Sequence, residues 1–218
     1  MKDRDIHRVV AMLKKEVKRW ETPIVGVVAD STRDPFKILI SCLLSLRTKD
    51  GTTARATERL FEIASTPEEM MGLPVRTIEK LIYPVGFYRV KAKRLKSVSE
   101  ELVQRYSSRV PDELDELLKI KGVGRKTANL VITLGYKKLG ICVDTHVHRI
   151  MNRWGYVGTK NPEQTEMELR RKLPQKYWIT INDLLVSYGQ NICKPISPLC
   201  SQCKLISYCD RCGIKTSR

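Results

Sequence analysis

Five of the seven cysteines are crowded between positions 193 and 212, as Cys193, Cys200, Cys203, Cys209 and Cys212. The tail around them is polar, so they have no hydrophobic core to fill. A thiol cage of this density reads as a metal site, and it makes the C-terminal segment fold as loops around what it binds. Two groupings fit. Cys200-x2-Cys203 with Cys209-x2-Cys212 would suit a tetrahedral zinc ion. Cys193, Cys200, Cys203 and Cys209, spaced x6, x2 and x5, would suit an iron–sulfur site and leave Cys212 outside. Spacing leaves both open. Pro195 and Pro198 stiffen the first loop in either case. Cys42 and Cys142 stand in apolar segments and are expected to be small buried side chains.

Ahead of this tail the pattern is helical nearly throughout. Apolar residues recur at helical spacing in Ile6-Val9-Val10-Leu13-Val17, in Leu39-Leu43-Leu44 and in Leu114-Leu117-Leu118. Asp34-Pro35 is a cap followed by proline at the first helical position, which predicts a helix to about Leu46. Asp50 or Thr52 is expected to cap the next, running to about Ile63. Thr66-Pro67-Glu68-Glu69 and Val110-Pro111-Asp112-Glu113 place proline and acids at further helix starts. Ile141-Cys142-Val143 is too brief to argue a sheet.

Lys and Arg number 40 against 24 acids in 218 residues, a net charge of +16. A surplus of this size points to a polyanion, most commonly nucleic acid. The longest apolar run, Ile38 to Leu44, is too short to span a bilayer, and no basic amphipathic helix stands out for a membrane surface. Met1-Lys-Asp-Arg-Asp opens no signal peptide, so a reducing location is expected: the cytoplasm beside the nucleoid in a prokaryote, the nucleus in a eukaryote. With no coiled coil or long exposed edge in view, a monomer is expected.

The segment from Glu113 to Leu134 has a specific layout. An amphipathic helix leads into Ile120-Lys121-Gly122-Val123-Gly124, and a second helix starts at Arg125. Two glycines one residue apart permit a tight turn and bare N–H groups that approach a phosphate, beside the positive end of the following helix. This helix–hairpin–helix pattern holds a DNA backbone without reading bases. Lys126 is either one more phosphate contact or an amine nucleophile forming a Schiff base with a sugar C1′. A free lysine titrates near pH ~10.4, so the second role needs a site that lowers this value, as the positive field of Lys121 and Arg125 would do. Asp144, in Val143-Asp144-Thr145-His146, is expected to cap a helix, a role compatible with stabilising a cationic sugar. His146 and His148 face different ways on one helix and are read as packing or hydrogen-bonding residues.

Several segments together resemble the endonuclease III family, the helix–hairpin–helix DNA glycosylases with a [4Fe–4S] cluster. They are Leu43-Leu44-Ser45 with Thr48 and Asp50, then Gly122-Val123-Gly124-Arg125-Lys126-Thr127-Ala128-Asn129, then Val143-Asp144-Thr145-His146, and the cysteine run. Their order and intervals match the family along essentially the whole chain. The resemblance implies an all-α fold of two domains. One is an inserted six-helix domain, expected over 28–138 with the hairpin at about 113–134; the other combines 1–27 with 139–218 and holds the cluster loop at 193–209. A DNA cleft would lie between them, faced by Lys126 and Asp144.

The same resemblance implies that Lys126 is the Schiff-base lysine, Asp144 the catalytic aspartate, and Cys193, Cys200, Cys203 and Cys209 the cluster ligands. The implied activity is removal of oxidised pyrimidines from double-stranded DNA, followed by strand cleavage 3′ to the abasic site by β-elimination. Lys121, Gly122, Gly124 and Arg125 would hold the DNA backbone, with Lys194 and Lys204 near phosphates in a cluster loop that clamps rather than does redox chemistry. Two positions depart from the family. Arg47 stands where glutamine usually fills the gap left by the flipped base, and Phe87 where a leucine-type wedge is common. Both can stack, so the function is expected to survive with an altered opposite-base preference. Related mismatch glycosylases lack the lysine, which favours the bifunctional enzyme. The competing readings are a thymine- or uracil-releasing mismatch glycosylase that does not cut, and a zinc-stabilised DNA-binding protein without catalysis.

Overall fold

The computed structural model describes residues 1–20 and 24–218, and every regular element among them is helical. In chain order these are α1 (Ile6–Val17), α2 (Ile24–Thr32), α3 (Pro35–Ser45), α4 (Asp50–Ile63), α5 (Pro67–Gly72), α6 (Val75–Ile82), α7 (Tyr88–Tyr106), α8 (Leu114–Lys119), α9 (Arg125–Leu130), α10 (Thr145–Arg153), α11 (Pro162–Lys172) and α12 (Ile181–Asn191). The chain forms two compact units, Ile24–Gly140 and the combination of Met1–Pro23 with Ile141–Arg218.

In Ile24–Gly140 the central element is α3. Phe36 and every residue from Ile38 to Leu44 are buried, so this helix is enclosed on nearly all sides. Its start is set by Asp34, whose carboxylate accepts from the Phe36 and Lys37 N–H groups at 2.8 and 3.4 Å, with Pro35 at the first position. Around it α7 packs on α5 and α6, burying Ala92, Leu95, Val98 and Leu102 along one stripe. A full capping box starts α5, with Thr66 and Glu69 bonding each other's backbone N–H groups. Eight α-helices, α2 to α9, are delimited in this unit among the described residues. Pro74, which has no N–H to donate, stands between the short α5 and α6.

Two helix starts differ from expectation. Asp50 is the first residue of α4 rather than its cap; Lys49 holds the cap position without a side-chain bond, and Asp50 instead faces the positive end of the helix dipole. Helix α8 begins at Leu114, beyond Pro111. Glu113 holds its N-cap position without a side-chain cap bond, and the carboxylates of Asp112 and Glu113 pair with Lys138 at 2.9 and 2.6 Å.

The terminal unit is built on the α1 stripe of Ile6, Val9, Val10 and Leu13, which is buried against Trp154, Tyr156, Ile181, Leu185 and Tyr188. Fully burying each aliphatic side chain stabilises by about 1.5–3 kcal/mol. The apolar run Ile141-Cys142-Val143 forms no strand; it crosses this core as buried extended chain, and Asn182 Nδ2 donates to the Cys142 carbonyl at 3.3 Å.

Asp34→Ala removes the cap of the central helix while leaving its apolar faces intact. Denaturant unfolding is expected to show a loss of about 1 kcal/mol, and Asp34→Asn, which can still accept both bonds, a smaller one.

Candidate nucleic-acid interface and thiol cage

The hairpin between α8 and α9 is closed by the Val123 N–H on the Ile120 carbonyl at 3.0 Å. Its two glycines have different reasons to be glycine. Gly122 sits at φ +95°, and a Cβ there would lie 2.8 Å from Nε and 2.9 Å from Cδ of Arg94. The fold itself therefore excludes a side chain. Gly124 is exposed, extended at φ −92°, and a Cβ there would meet nothing within 4 Å. The fold has no use for a bare position here, whereas a ligand approaching the backbone does. Gly124 is also the N-cap of α9 and supplies no side-chain cap to its first N–H groups. Lys126 is the second residue of α9, half-buried beside buried Thr127, Ala128 and Asn129. Lys121 is exposed, with its N–H on the Glu101 carboxylate at 3.2 Å. Arg94 brings a guanidinium against the hairpin from 28 residues upstream (122 − 94), and nothing in the local pattern of α7 singles it out.

Arg47 and Phe87 come together in the same unit. The Arg47 guanidinium lies 5.8 Å from the Phe87 ring centroid. Both are exposed, and Phe87, at 61%, is not a core side chain. Both also hold left-handed backbone, at φ +53° and +59°, a conformation that costs a non-glycine residue roughly 1 kcal/mol. The loops touch through Gly86, where a Cβ would stand 2.7 Å from the Arg47 carbonyl oxygen. Gly86 N–H donates to Thr48 Oγ1 at 3.2 Å.

Beneath these loops is Lys91, only 6% exposed. Its Nζ donates to the Leu44 and Leu46 carbonyls at 2.7 and 2.5 Å and to Thr48 Oγ1 at 2.9 Å. Burial, and then the like charge of Arg94, push its pKa down to about 8, which leaves an ammonium at neutral pH with an acceptor for each hydrogen. Sequence reading passed over Lys91, because one lysine among 40 bases carries no local mark of burial.

In the terminal unit Asp144 is 8% exposed and caps α10, with Oδ1 accepting from the His146 and Val147 N–H groups at 2.9 Å each. Its carboxylate is thereby oriented by the start of the helix. The two histidines have hydrogen-bonding roles: His146 meets Arg149, and His148 Nδ1 lies 2.7 Å from Thr165 Oγ1. Further along, α10 holds the cysteine loop. Arg149 donates to the Cys193 carbonyl at 2.9 Å. Arg153, itself buried, donates to the Lys194 and Pro195 carbonyls at 2.7 Å each and approaches Cys193 Sγ at 3.4 Å. The half-buried Lys194 thus sits on a fixed backbone, whereas Lys204 is exposed.

All seven cysteines are free thiols; Cys42 and Cys142 are buried. Burial, and then the neighbouring thiols Cys193, Cys203 and Cys200, raise Cys209 to about 11, although a backbone N–H at Arg211 opposes the shift. Burial likewise raises Cys203, opposed by the Tyr188 hydroxyl 3.0 Å from its sulfur, with Cys193 and Cys200 again adding to the rise. Cys193 and Cys200 thus lie within electrostatic reach of both Cys203 and Cys209. Cys212 is exposed. Among the described residues, no three His, Cys, Asp or Glu side chains form a group that could hold a metal ion.

An all-helical chain with a hairpin of bare backbone and a basic surplus defines a helix–hairpin–helix DNA-binding protein. Residues 40–175 match the family described as HhH-GPD superfamily base excision DNA repair protein. Endonuclease III of Thermotoga maritima is 49% identical over 177 residues, which cover 81% of this chain and 83% of that protein. Endonuclease III homolog 2, chloroplastic, of Arabidopsis thaliana is 41% identical over 93% of this chain; the match spans 56% of the plant protein, so this chain is about half its length. The structure of a trapped endonuclease III–DNA covalent intermediate, an estranged-adenine complex, superposes with a TM-score of 0.86 at 31% identity, covering 97% of each chain. This chain belongs to the endonuclease III family.

The two hairpin glycines should separate by experiment. Gly122→Ala is expected to lower the melting temperature, because it forces a side chain into left-handed backbone against Arg94. Gly124→Ala is expected to melt as the wild type and to bind duplex DNA about tenfold more weakly in a fluorescence anisotropy titration.

Proposed function

We infer that this chain is a bifunctional DNA glycosylase and abasic-site lyase of base excision repair. The observation that carries this is family membership, at 49% identity to an endonuclease III over most of both chains. We read its substrate as duplex DNA containing oxidised pyrimidines or abasic sites, and its working form as a monomer in the reducing compartment that holds the genome. The amine of Lys126 attacks C1′ of an extruded nucleotide, and the damaged base leaves with the bonding electrons. The resulting imine acidifies the 2′ protons; loss of one drives β-elimination, which breaks the C3′–O bond and cuts 3′ to the site. Asp144, fixed by two N–H groups, stabilises positive charge developing on the sugar.

The roles of the remaining residues follow from their chemistry. Gly122 and Gly124 let the hairpin approach a phosphate, and Lys121, Arg125 and Arg94 supply positive charge nearby. Arg47 and Phe87 enter the duplex and fill the space left by the flipped base, offsetting part of a cost of roughly a few kcal/mol. Cys193, Cys200, Cys203 and Cys209 would each supply one thiolate to a [4Fe–4S] cluster. Bound there, the cluster would give the 193–209 loop a fixed core and would contribute structure rather than redox chemistry. Lys194, held by Arg153, then meets the DNA backbone. A zinc site pairing Cys209 with Cys212 is disfavoured by the exposure of Cys212. A mismatch glycosylase that does not cut is disfavoured by Lys126.

Borohydride reduction during turnover on a duplex with an oxidised pyrimidine should yield a covalent protein–DNA adduct, absent from Lys126→Ala. Equal trapping by both proteins would remove the lyase mechanism. Asp144→Asn keeps the helix cap and loses only the charge, so it should melt normally while base release slows by roughly 10²–10³-fold in single turnover. Protein purified without oxygen should show visible charge-transfer absorption and four irons per chain. Cys193→Ala should lose both, whereas Cys212→Ala should keep them; the reverse pattern would restore the zinc grouping.

A further inference from the structure

We propose that Lys91 is a positioning residue that locks the Arg47 and Phe87 loops into one rigid tool, so that both side chains enter the duplex together. This rests on the reading of Arg47 and Phe87 as void-filling residues. Phe87 caps α7, and the Lys91 N–H bonds back to the Phe87 carbonyl at 3.0 Å, so Lys91 lies one turn beyond the aromatic residue. Its ammonium reaches the other loop, taking the Leu44 and Leu46 carbonyls on either side of the end of α3, just before Arg47. The third hydrogen goes to Thr48 just after Arg47, and Thr48 Oγ1 also accepts the N–H of Gly86 just before Phe87. Residues flanking both exposed side chains therefore meet at one buried ammonium and one hydroxyl.

Elementary energetics makes this arrangement informative. A lysine at 6% exposure is expensive to bury, and a methionine of similar length would pack in its place without a charge to satisfy. What a methionine cannot do is bind three oxygens from one loop. The two left-handed residues above it are strained, exposed and in mutual contact, a state that persists only when the surroundings hold it in place. The ammonium and the Thr48 hydroxyl are the groups that do so. Each also has a simpler role, capping the C-terminal carbonyls of α3. If that were all, loss of either would lower stability and leave activity ratios between substrates unchanged.

The test compares base release from an oxidised pyrimidine in intact duplex with cleavage of a single-stranded abasic oligonucleotide, which has no stacked partner strand to disrupt. Lys91→Met and the near-isosteric Thr48→Val are both measured, the second because its folding is at least risk. Each is expected to lose roughly tenfold on the duplex substrate and less than about twofold on the single strand. A 2-aminopurine placed opposite the lesion reads the step directly: its fluorescence rise on binding, present with wild type, should be lost in both variants. Introduced into Arg47→Ala/Phe87→Ala, either variant should cause no further loss on duplex, since the residues it positions are gone. Equal losses on both substrates, or losses that multiply in the triple variants, would overturn the proposal and leave Lys91 a helix cap. If Arg47→Ala/Phe87→Ala itself does not alter the duplex-to-single-strand ratio, the void-filling reading fails. If wild type forms no borohydride adduct, the lyase reading fails instead.

Discussion

Buried or half-buried cations donating to backbone carbonyls hold this protein's functional loops in shape. Lys91 takes Leu44 and Leu46, Arg59 takes Leu81 and Tyr83, Lys96 takes Met71 and Leu73, and Arg153 takes Lys194 and Pro195. A helix end leaves its last carbonyls without partners, and a cation there satisfies several at once. The loop that follows is then fixed without needing an apolar core of its own. Part of the +16 charge is therefore internal scaffolding and is not available to a polyanion.

The same economy links α10 to both ends of the terminal unit's site. Its first N–H groups orient Asp144, while Arg149 and Arg153, on its later turns, hold the cysteine loop. One nine-residue helix thus sets the direction of a carboxylate and the path of a loop fifty residues further along. The Asp144 carboxylate and the cysteine loop are tied to one rigid element. Substitutions in its interior act on both.

Much of this was legible in the sequence because it is local. Asp34-Pro35, the Thr66–Glu69 box and the Asp144 cap are written within four residues of one another, and the structure has each in place. The Gly-x-Gly hairpin and the cysteine spacing are also short-range patterns. What could not be read was non-local competition. Lys138 takes the carboxylates of Asp112 and Glu113 from 25 residues downstream, and Arg94 crowds Gly122 from another helix. Lys91 is chemically indistinguishable from its exposed neighbours Arg89 and Lys93 until α7 is packed.

The contact between Arg47 and Phe87 has a consequence for the protein when no DNA is bound. The Phe87 ring is 61% exposed, an apolar surface left facing water. The Arg47 guanidinium over the ring sets a hydrated charge beside that apolar surface, so the free protein does not present it bare.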